Sequence, residues 1–423
     1  MTEKLYWADA TALAFETTGA VLSTHDDRTS IVLPRTLFYP EGGGQLGDAG
    51  TLAIGEVELS VVDTQIDGDG AIHHVLGAPL QGELAARFRE GAAAALPVRG
   101  SLDRARRRDH MAQHTAQHAL SRALADRAKA DTVSARLGAS LCTIDVNRPG
   151  IANQDLHQAE DLVNAIVMDD VAVTTSFPSA EELATLSLRK QPNAEKSAKG
   201  VRVVTIEGFD VTPCGGTHCT RTGQIGQVRI VGTEKYKGML RVSFHGGARA
   251  LSDARFRHQA LLEISTELTC GPHDALGAVL KLRAEAKGAR EKLDGARAEL
   301  AELLAQRVRE ALPQAPGPHV VHLARPHDDL AALRVLAGKL TEDARVVALV
   351  GGHDPGSGET VLVVQRGAGG KLDCGAFVSA EGKARGGRGG GRPERAEGRF
   401  PRGTSIEVLA TAASVALANS LPS

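Results

Sequence analysis

The hydrophobic rhythm of the chain changes several times along its length. From residue 5 to about residue 94, apolar residues come in short runs: "GAVLST", "TSIVLP", "GTLAIGEVELSVVDTQ" and "AIHHVLG". These runs are rich in β-branched side chains and are separated by Gly and Asp. Their length and spacing predict strands, and their number predicts a small β-barrel over residues 1–94. At Leu102 the rhythm shifts. "LDRARRRDHMAQHTAQHALSRALADRAKA" contains neither Gly nor Pro and predicts one helix. "LCTIDVN" then predicts a strand, and "ANQDLHQAEDLVNAIVMDD" a helix with Asn153 as N-cap. "VAVTTSF", "VRVVTIEGF", "GQIGQVRIVGTEKY" and "MLRVSFHGG" predict further strands. Residues 95–250 therefore read as a mixed α+β domain.

Residues 251–313 read as helical, with a break at Gly271-Pro272. Leu293, Ala296, Leu300 and Leu303 follow a seven-residue repeat, which suits a short coiled coil or a hairpin arm. Gly288 and Gly295 weaken that repeat and leave a solvent-exposed connecting helix equally open. "LPQAPGPH" (312–319) reads as a linker. Over 314–423, "HVVHLA", "RVVALVGG" and "TVLVVQRG" alternate with helical stretches, predicting a compact α/β domain. It carries the Gly/Arg-rich insert "GKARGGRGGGRPERAEGR", expected to be flexible.

Composition narrows this picture. Aromatics are only 3%, so the cores must rest on Val, Leu, Ile and Ala. The 49 Lys and Arg are balanced by 51 Asp and Glu, so any nucleic-acid surface must be local. Five widely spaced cysteines argue against a disulfide framework and for a reducing compartment. No basic segment followed by an apolar core opens the chain, and no apolar run approaches the ~18 residues that span a bilayer. A cytoplasmic protein without a membrane partner is expected.

Two short segments carry candidate chemistry. In "HTAQH", His114 and His118 are four apart, which on a helix puts both imidazoles on one face. In "CGGTHC", Cys214 and His218 are also four apart, and the Gly-Gly between them permits a tight turn. Either pair alone is commonly an accident. Together, His114, His118, Cys214 and His218 make a donor set suited to one Zn²⁺. His110 extends the helical series as a neighbour of the site, an RNA-facing group or an ordinary surface histidine. Cys219 reads as a packing residue.

These segments carry a resemblance. "FYPEGGGQLGDAG" (38–50), "HTAQH" and "CGGTHC", in that order, resemble the editing domain of alanyl-tRNA synthetase and its free-standing relatives, the alanyl-tRNA editing proteins of AlaX type. The likeness extends over residues 5–250. "GGRGGGRPERAEG" is similar to the glycine-rich segment of the DHH-associated domain that ends the synthetase, so the whole looks like the long form of the editing protein. Ala119-Leu120, where relatives often have Leu-Leu, and "RPERAEGRF" depart from the pattern. The resemblance implies hydrolysis of serine or glycine esters of alanine-specific tRNA, with no aminoacylation core in the chain. A deacylase for another mischarged tRNA, such as Ser-tRNA(Thr), and a non-catalytic RNA-binding zinc protein remain the alternatives.

Within that reading, the glycines of "PEGGGQ" let backbone approach the ester, and N–H groups at Gly43 and Gly44 could stabilise an oxyanion. Gln45 is expected to orient the ester or a water, and Thr36 to hydrogen-bond the serine hydroxyl. A plain hairpin turn and an ordinary strand threonine are the bland readings of the same residues. Four protein ligands would close a zinc shell, whereas a loose fourth would open it to water. Residues 99–129 hold eight Lys or Arg against three Asp, and 381–402 hold seven against three Glu. Arg107 and Arg108 in the first stretch, and Arg388 and Arg392 in the second, are candidate tRNA contacts. Homodimerisation through the helical arm or the C-terminal domain is a further expectation.

Overall fold

Seven strands between residues 14 and 102 pair into one antiparallel sheet. They are β1 (Ala14–Thr17), β2 (Val21–His25), β3 (Arg28–Val32), β4 (Gly50–Ile54), β5 (Val57–Ile66), β6 (Ile72–Leu76) and β7 (Val98–Leu102). Their order is β1-β7-β4-β5-β6-β3-β2. This is a computed structural model, and it describes residues 2–192, 200–315, 317–354 and 356–419. β1 and β2 are consecutive in the chain yet lie at opposite edges of the sheet. Only Thr18, Gly19 and Ala20 separate them, a link that reaches ~14 Å at most. The sheet must therefore curl to bring its edges that close, but no ladder joins them. The expected barrel is corrected to a curled, open sheet. β1 is only four residues long, and Gly19, at φ +84°, donates its N–H to Ala94 O rather than to a strand.

The inner face of this sheet is apolar, with Ile31, Leu33, Phe38, Leu52 and Ile54 almost fully buried. His74 sits among them on β6. Its Nδ1–H donates to Ile31 O at 2.7 Å, which leaves Nε2 to accept the Thr36 hydroxyl at 2.8 Å. Burial without a counter-charge pulls its pKa down to about 4.

The second layer of this half is built on helix α1 (Arg104–Ala128), capped by Asp103, whose carboxylate accepts from the N–H groups of Ala105 and Arg106. Ala116, Ala119, Leu120, Ala123 and Leu124 make its buried stripe. The small residues let it pack closely along α2 (Asn153–Met168) and against a four-stranded sheet. That sheet, in the order β8-β9-β14-β13, comprises β8 (Thr132–Leu137), β9 (Cys142–Val146), β13 (Val228–Tyr236) and β14 (Met239–Gly246). A three-stranded sheet, β10 (Val173–Ser176), β11 (Val203–Ile206) and β12 (Asp210–Pro213), lies in sequence between α2 and β13. Two sequence readings shift here. Asn153 is the first helical residue rather than the cap, which falls on Ala152, and "GQI" forms part of a 3-10 turn (Thr222–Ile225).

The chain divides into two compact units, Met1–Leu261 and Leu262–Ser423. The division falls within α3 (Gly247–Glu267). In the second unit, α4 (Ala275–Ala311) runs unbroken through Gly288 and Gly295. Its buried contacts come from Ala301 and Ala305, while Leu293, Leu300 and Leu303 of the seven-residue repeat are exposed. Pro316 of the expected linker lies outside the described residues. A five-stranded sheet follows in the order β15-β16-β17-β19-β18: β15 (His319–Ala324), β16 (Val346–His353), β17 (Thr360–Arg366), β18 (Arg388–Gly391) and β19 (Arg395–Phe400). Helices α5 (Leu330–Leu340), α6 (Cys374–Ala384) and α7 (Ile406–Ala418) complete the unit.

The Gly/Arg insert is not a flexible loop. Its glycines build the edge hairpin β18–β19, on which α6 lies. A Cβ at Gly389 would stand 2.5 Å from Glu397 O, and one at Gly391 2.4 Å from Arg395 O. Among the described residues, no helix is long and apolar enough to cross a membrane.

His74 has a consequence for pH dependence. The unfolded chain takes up this proton near pH 6.5, and the folded chain only near pH 4. Stability should therefore be full above about pH 6.5 and fall as pH drops towards 4. Urea unfolding at pH 7 and pH 5 should show a smaller pH-dependent loss in a His74→Leu variant, although that variant starts less stable.

Candidate metal centre

The four predicted donors meet. His114, His118, Cys214 and His218 place one ligand atom each within 4.8 Å of one another, and the three imidazoles are buried. α1 contributes two of them, one turn apart. The stretch after β12 contributes the other two. Cys214 Sγ lies 3.4 Å from His114 Nε2 and 3.3 Å from His218 Nε2. A tetrahedral ion with bonds of ~2.3 Å to sulfur and ~2.05 Å to nitrogen would hold such atoms ~3.6 Å apart.

Each imidazole is turned by an oxygen behind it. His114 Nδ1–H donates to Gln45 Oε1 at 2.7 Å. His218 Nδ1 lies 3.3 Å from Thr115 Oγ1. That hydroxyl donates to Met111 O and also accepts Cys219 N–H, so His218 must be its second donor. His118 Nδ1 faces Asp210 Oδ2 at 3.6 Å. In His114 and His218 these contacts put the proton on Nδ1 and leave the Nε2 lone pair free, the usual arrangement of histidine ligands, whereas His118 Nδ1 has no hydrogen-bond partner among the described residues.

The electrostatics agree. Burial opposes ionisation of the Cys214 thiol, but the surrounding imidazoles outweigh it and hold its pKa well below the usual thiol value. Burial, reinforced by His114, depresses His218 to about 3, so its ring is neutral. Burial also works against the Asp210 carboxylate, yet nearby His118 and the Arg189 guanidinium, which donates to it at 2.8 Å, keep it ionised, with a pKa of about 2. A thiolate beside three imidazoles fits a borderline-soft divalent metal.

Gly42–Gln45 is a two-residue hairpin turn closed by Gly42 N–H to Gln45 O and Gln45 N–H to Gly42 O, both 3.0 Å. Gly43 and Gly44 take φ +60° and +86°, which this turn type requires at both central positions. Gly44 O accepts from Leu137 N–H at 2.7 Å, pinning the turn to β8. Both glycines are exposed, and among the described residues their N–H groups have no acceptor.

Gln45 departs from the role expected for it. Its amide is fully buried: Nε2 donates to Thr217 Oγ1 at 2.9 Å, while Oε1 accepts from Thr217 N–H and His114 Nδ1. Both lone pairs of its oxygen are taken, and the amide fixes the His114 ring. Thr36 is also corrected. Its hydroxyl, fully buried, donates to His74 and accepts from Phe38 N–H at 3.0 Å, so it does not face a substrate. Arg107 is 1% exposed. Its guanidinium pairs with Asp48 at 2.5 Å and donates to Ala10 O and Leu37 O, so it cannot reach a phosphate. His110 is buried 3.9 Å from Asp48, and Cys219 belongs to the core. Arg108 is exposed, with no ion pair among the described residues. Arg388 is exposed but ion-paired with Glu359, and Arg392 is exposed at the hairpin turn.

The sequence reading missed Thr115, Asp210, Thr217, Asp48 and Arg202, whose guanidinium holds Cys214 O and Gly216 O at 3.0 and 2.8 Å. Thr115 stands inside "HTAQH" and Asp48 inside the glycine motif, so both were visible but carried no signal of their own.

Comparison with known proteins bears on these segments. Residues 201–243, which hold Cys214 and His218, match the threonyl and alanyl tRNA synthetase second additional domain. Residues 7–87, which hold the glycine turn, match class II (A) tRNA synthetases. An alanyl-tRNA editing protein AlaX-L from Pyrococcus horikoshii is 35% identical over 60% of this chain and 60% of its own. The chain is similar to alanyl-tRNA editing proteins and to alanine–tRNA ligases. Among the ligases, that of Pyrococcus abyssi is 31% identical over 94% of this chain and 42% of its own, and that of Halorubrum lacusprofundi 29% over 96% and 43%. The chain thus spans less than half the length of the ligases it matches. The C-Ala domain from Aquifex aeolicus alanyl-tRNA synthetase aligns with 25% of this chain and 98% of its own, at 17% identity and a TM-score of 0.22.

Two substitutions test the support of the ligands. A Cβ at Gly216 would stand 2.2 Å from His114 Cε1, so Gly216→Ala should displace that ring and abolish tight metal uptake. Gln45→Ala should leave the fold intact but weaken zinc affinity about 10–100-fold. Competition with a chromophoric chelator measures both.

Proposed function

We propose that this protein is a zinc-dependent deacylase that acts in trans on mischarged alanine-specific tRNA, hydrolysing its serine ester and, secondarily, its glycine ester. The observation that carries the reading is the convergence of His114, His118, Cys214 and His218 beside the Gly42–Gln45 turn. Gln45 ties the two together, in segments shared with proteins named for alanyl-tRNA editing. His114, His118, Cys214 and His218 would hold the ion. Bound zinc supplies a positive charge that can fix and polarise an oxygen of the aminoacylated ribose.

The chain's own groups do the rest. The exposed N–H groups of Gly43 and Gly44 suit an oxyanion formed when water attacks the ester carbonyl. The carbon–oxygen bond to the ribose then breaks, and the water proton passes to the ribose oxygen. Gln45, through His114, keeps the ligand and the turn in register. Discrimination against alanine falls to groups other than Thr36. Arg108, Arg388 and Arg392 remain candidates for tRNA phosphates. Leu276, Leu280 and Leu282, exposed on α4, support self-association of the arm, which sedimentation analysis would show as a dimer.

The decisive assay offers Ser-tRNA(Ala), Gly-tRNA(Ala) and Ala-tRNA(Ala) to the protein. Loss of the first two with the third spared is the expected result, and stability of all three would refute the proposal. The family match names threonyl as well as alanyl synthetases, so Ser-tRNA(Thr) belongs in the same series. A His114→Ala/Cys214→Ala double variant should retain no zinc and lose deacylation at least 100-fold; full zinc content in that variant would refute the ligand set.

A further inference from the structure

Aromatic residues are scarce in this chain, yet two of its three tyrosines and its single tryptophan gather beside the metal centre. They form a continuous series. Tyr39 donates its hydroxyl to Gly42 O at 2.8 Å, at the start of the glycine turn. Its ring meets Tyr6 edge-on at 5.3 Å, Tyr6 meets Trp7 at 6.1 Å, and Trp7 meets Phe177 at 5.7 Å. Tyr39 and Tyr6 are buried, Trp7 is half-buried, and Phe177 is 57% exposed. The series thus leads from the turn to solvent.

Its outer end is fixed against the ligand stretch. The Trp7 indole N–H donates to Gly215 O at 3.0 Å. Gly215 stands between Cys214 and Gly216, where a Cβ would run into the His114 ring. The residues just before the turn that carries Trp7, Glu3–Lys4, pair with Arg35–Thr36. Trp7 and Phe177 are tilted 57° to each other, and Phe177 is exposed over more than half of its surface. Lys4 Nζ stands 4.4 Å from the centre of the Trp7 ring, adding a cation. Hydrolysis of the ester requires none of these side chains.

We propose that Trp7 and Phe177 form a stacking platform for the purine base of the nucleoside whose ester is hydrolysed, with Lys4 facing its phosphate. This rests on the reading that the substrate is an aminoacyl ester of a terminal adenosine. In such a nucleoside, base and ester hang on one ribose. A base platform must therefore lie within a nucleoside's length of the groups that hold the ester, and Trp7 is bonded to the residue next to Cys214. An exposed phenyl ring backed by an indole offers the flat apolar face on which bases stack.

Trp7 is the only tryptophan, so its fluorescence reports on the platform directly. Adenosine 5′-monophosphate titrated into the full chain should quench it saturably, and ribose 5-phosphate should not. Phe177→Ala, a change at an exposed position, should weaken adenosine 5′-monophosphate binding about tenfold, and Phe177→Tyr should restore it. The same Phe177→Ala variant should raise KM for the mischarged tRNA by a similar factor with kcat nearly unchanged. Equal responses to the nucleotide and to ribose 5-phosphate, or a Phe177→Ala variant that binds as wild type does, would overturn the proposal. Base-dependent quenching in a chain that deacylates no ester would support the platform while removing the functional reading.

Discussion

The side-chain amide of Gln45 is where three distant segments become one site. Its oxygen accepts from His114 on α1 and from the backbone of Thr217 after β12, while its own backbone closes the glycine turn. A carbonyl oxygen has two lone pairs, and here both are used. The amide nitrogen donates to Thr217 Oγ1, so the group cannot flip without breaking its contacts. The tautomer of His114, the placing of the ligand stretch and the position of the turn therefore depend on one another. The same crowding explains why position 216 must be glycine, since a Cβ there would stand 2.2 Å from His114 Cε1 and 3.0 Å from Gln45 Oε1.

A buried ion pair stands behind this arrangement. Arg107 and Asp48 are each about 1% exposed. Such a pair is costly to bury and is tolerated only when its remaining donors and acceptors are matched. Here they are: Arg107 also donates to Ala10 O and Leu37 O, and Asp48 also accepts from Tyr39 N–H at 2.7 Å. The pair thereby joins the first turns of α1 to the loop that carries the glycine motif. Loss of either partner would leave a buried charge alone and would disturb the site through the backbone, without touching a ligand.

The meeting of His114, His118, Cys214 and His218 was legible because both pairs share a four-residue spacing. Two residues four apart on a helix and two four apart around Gly-Gly leave a mark in the sequence. The strands of the first sheet were legible from their short apolar runs, but closure was not, because it depends on whether the two edge strands, three residues apart in the chain, hydrogen-bond to each other. Thr36 and Arg107 were misread for a shared reason. Both stand beside informative motifs, and polarity alone does not tell a group facing solvent from one satisfied inside. Thr36 is answered by His74 and Arg107 by Asp48, partners that only the fold brings near. The Gly/Arg segment was misread because glycine marks flexibility and close packing alike.

That last segment has a consequence beyond its shape. Residues Arg388, Arg395 and Arg399 project from paired strands, and each already has an acidic neighbour on the sheet: Glu359, Glu397 and Asp354 respectively. An arginine on a loose tether must surrender backbone freedom when it engages a partner, ~1–2 kcal/mol for each residue ordered. On this hairpin that entropy was lost when the domain folded. Engagement here would instead be an exchange of one anion for another around side chains whose backbone is already in place. Ionic strength would govern such an exchange far more than chain order would.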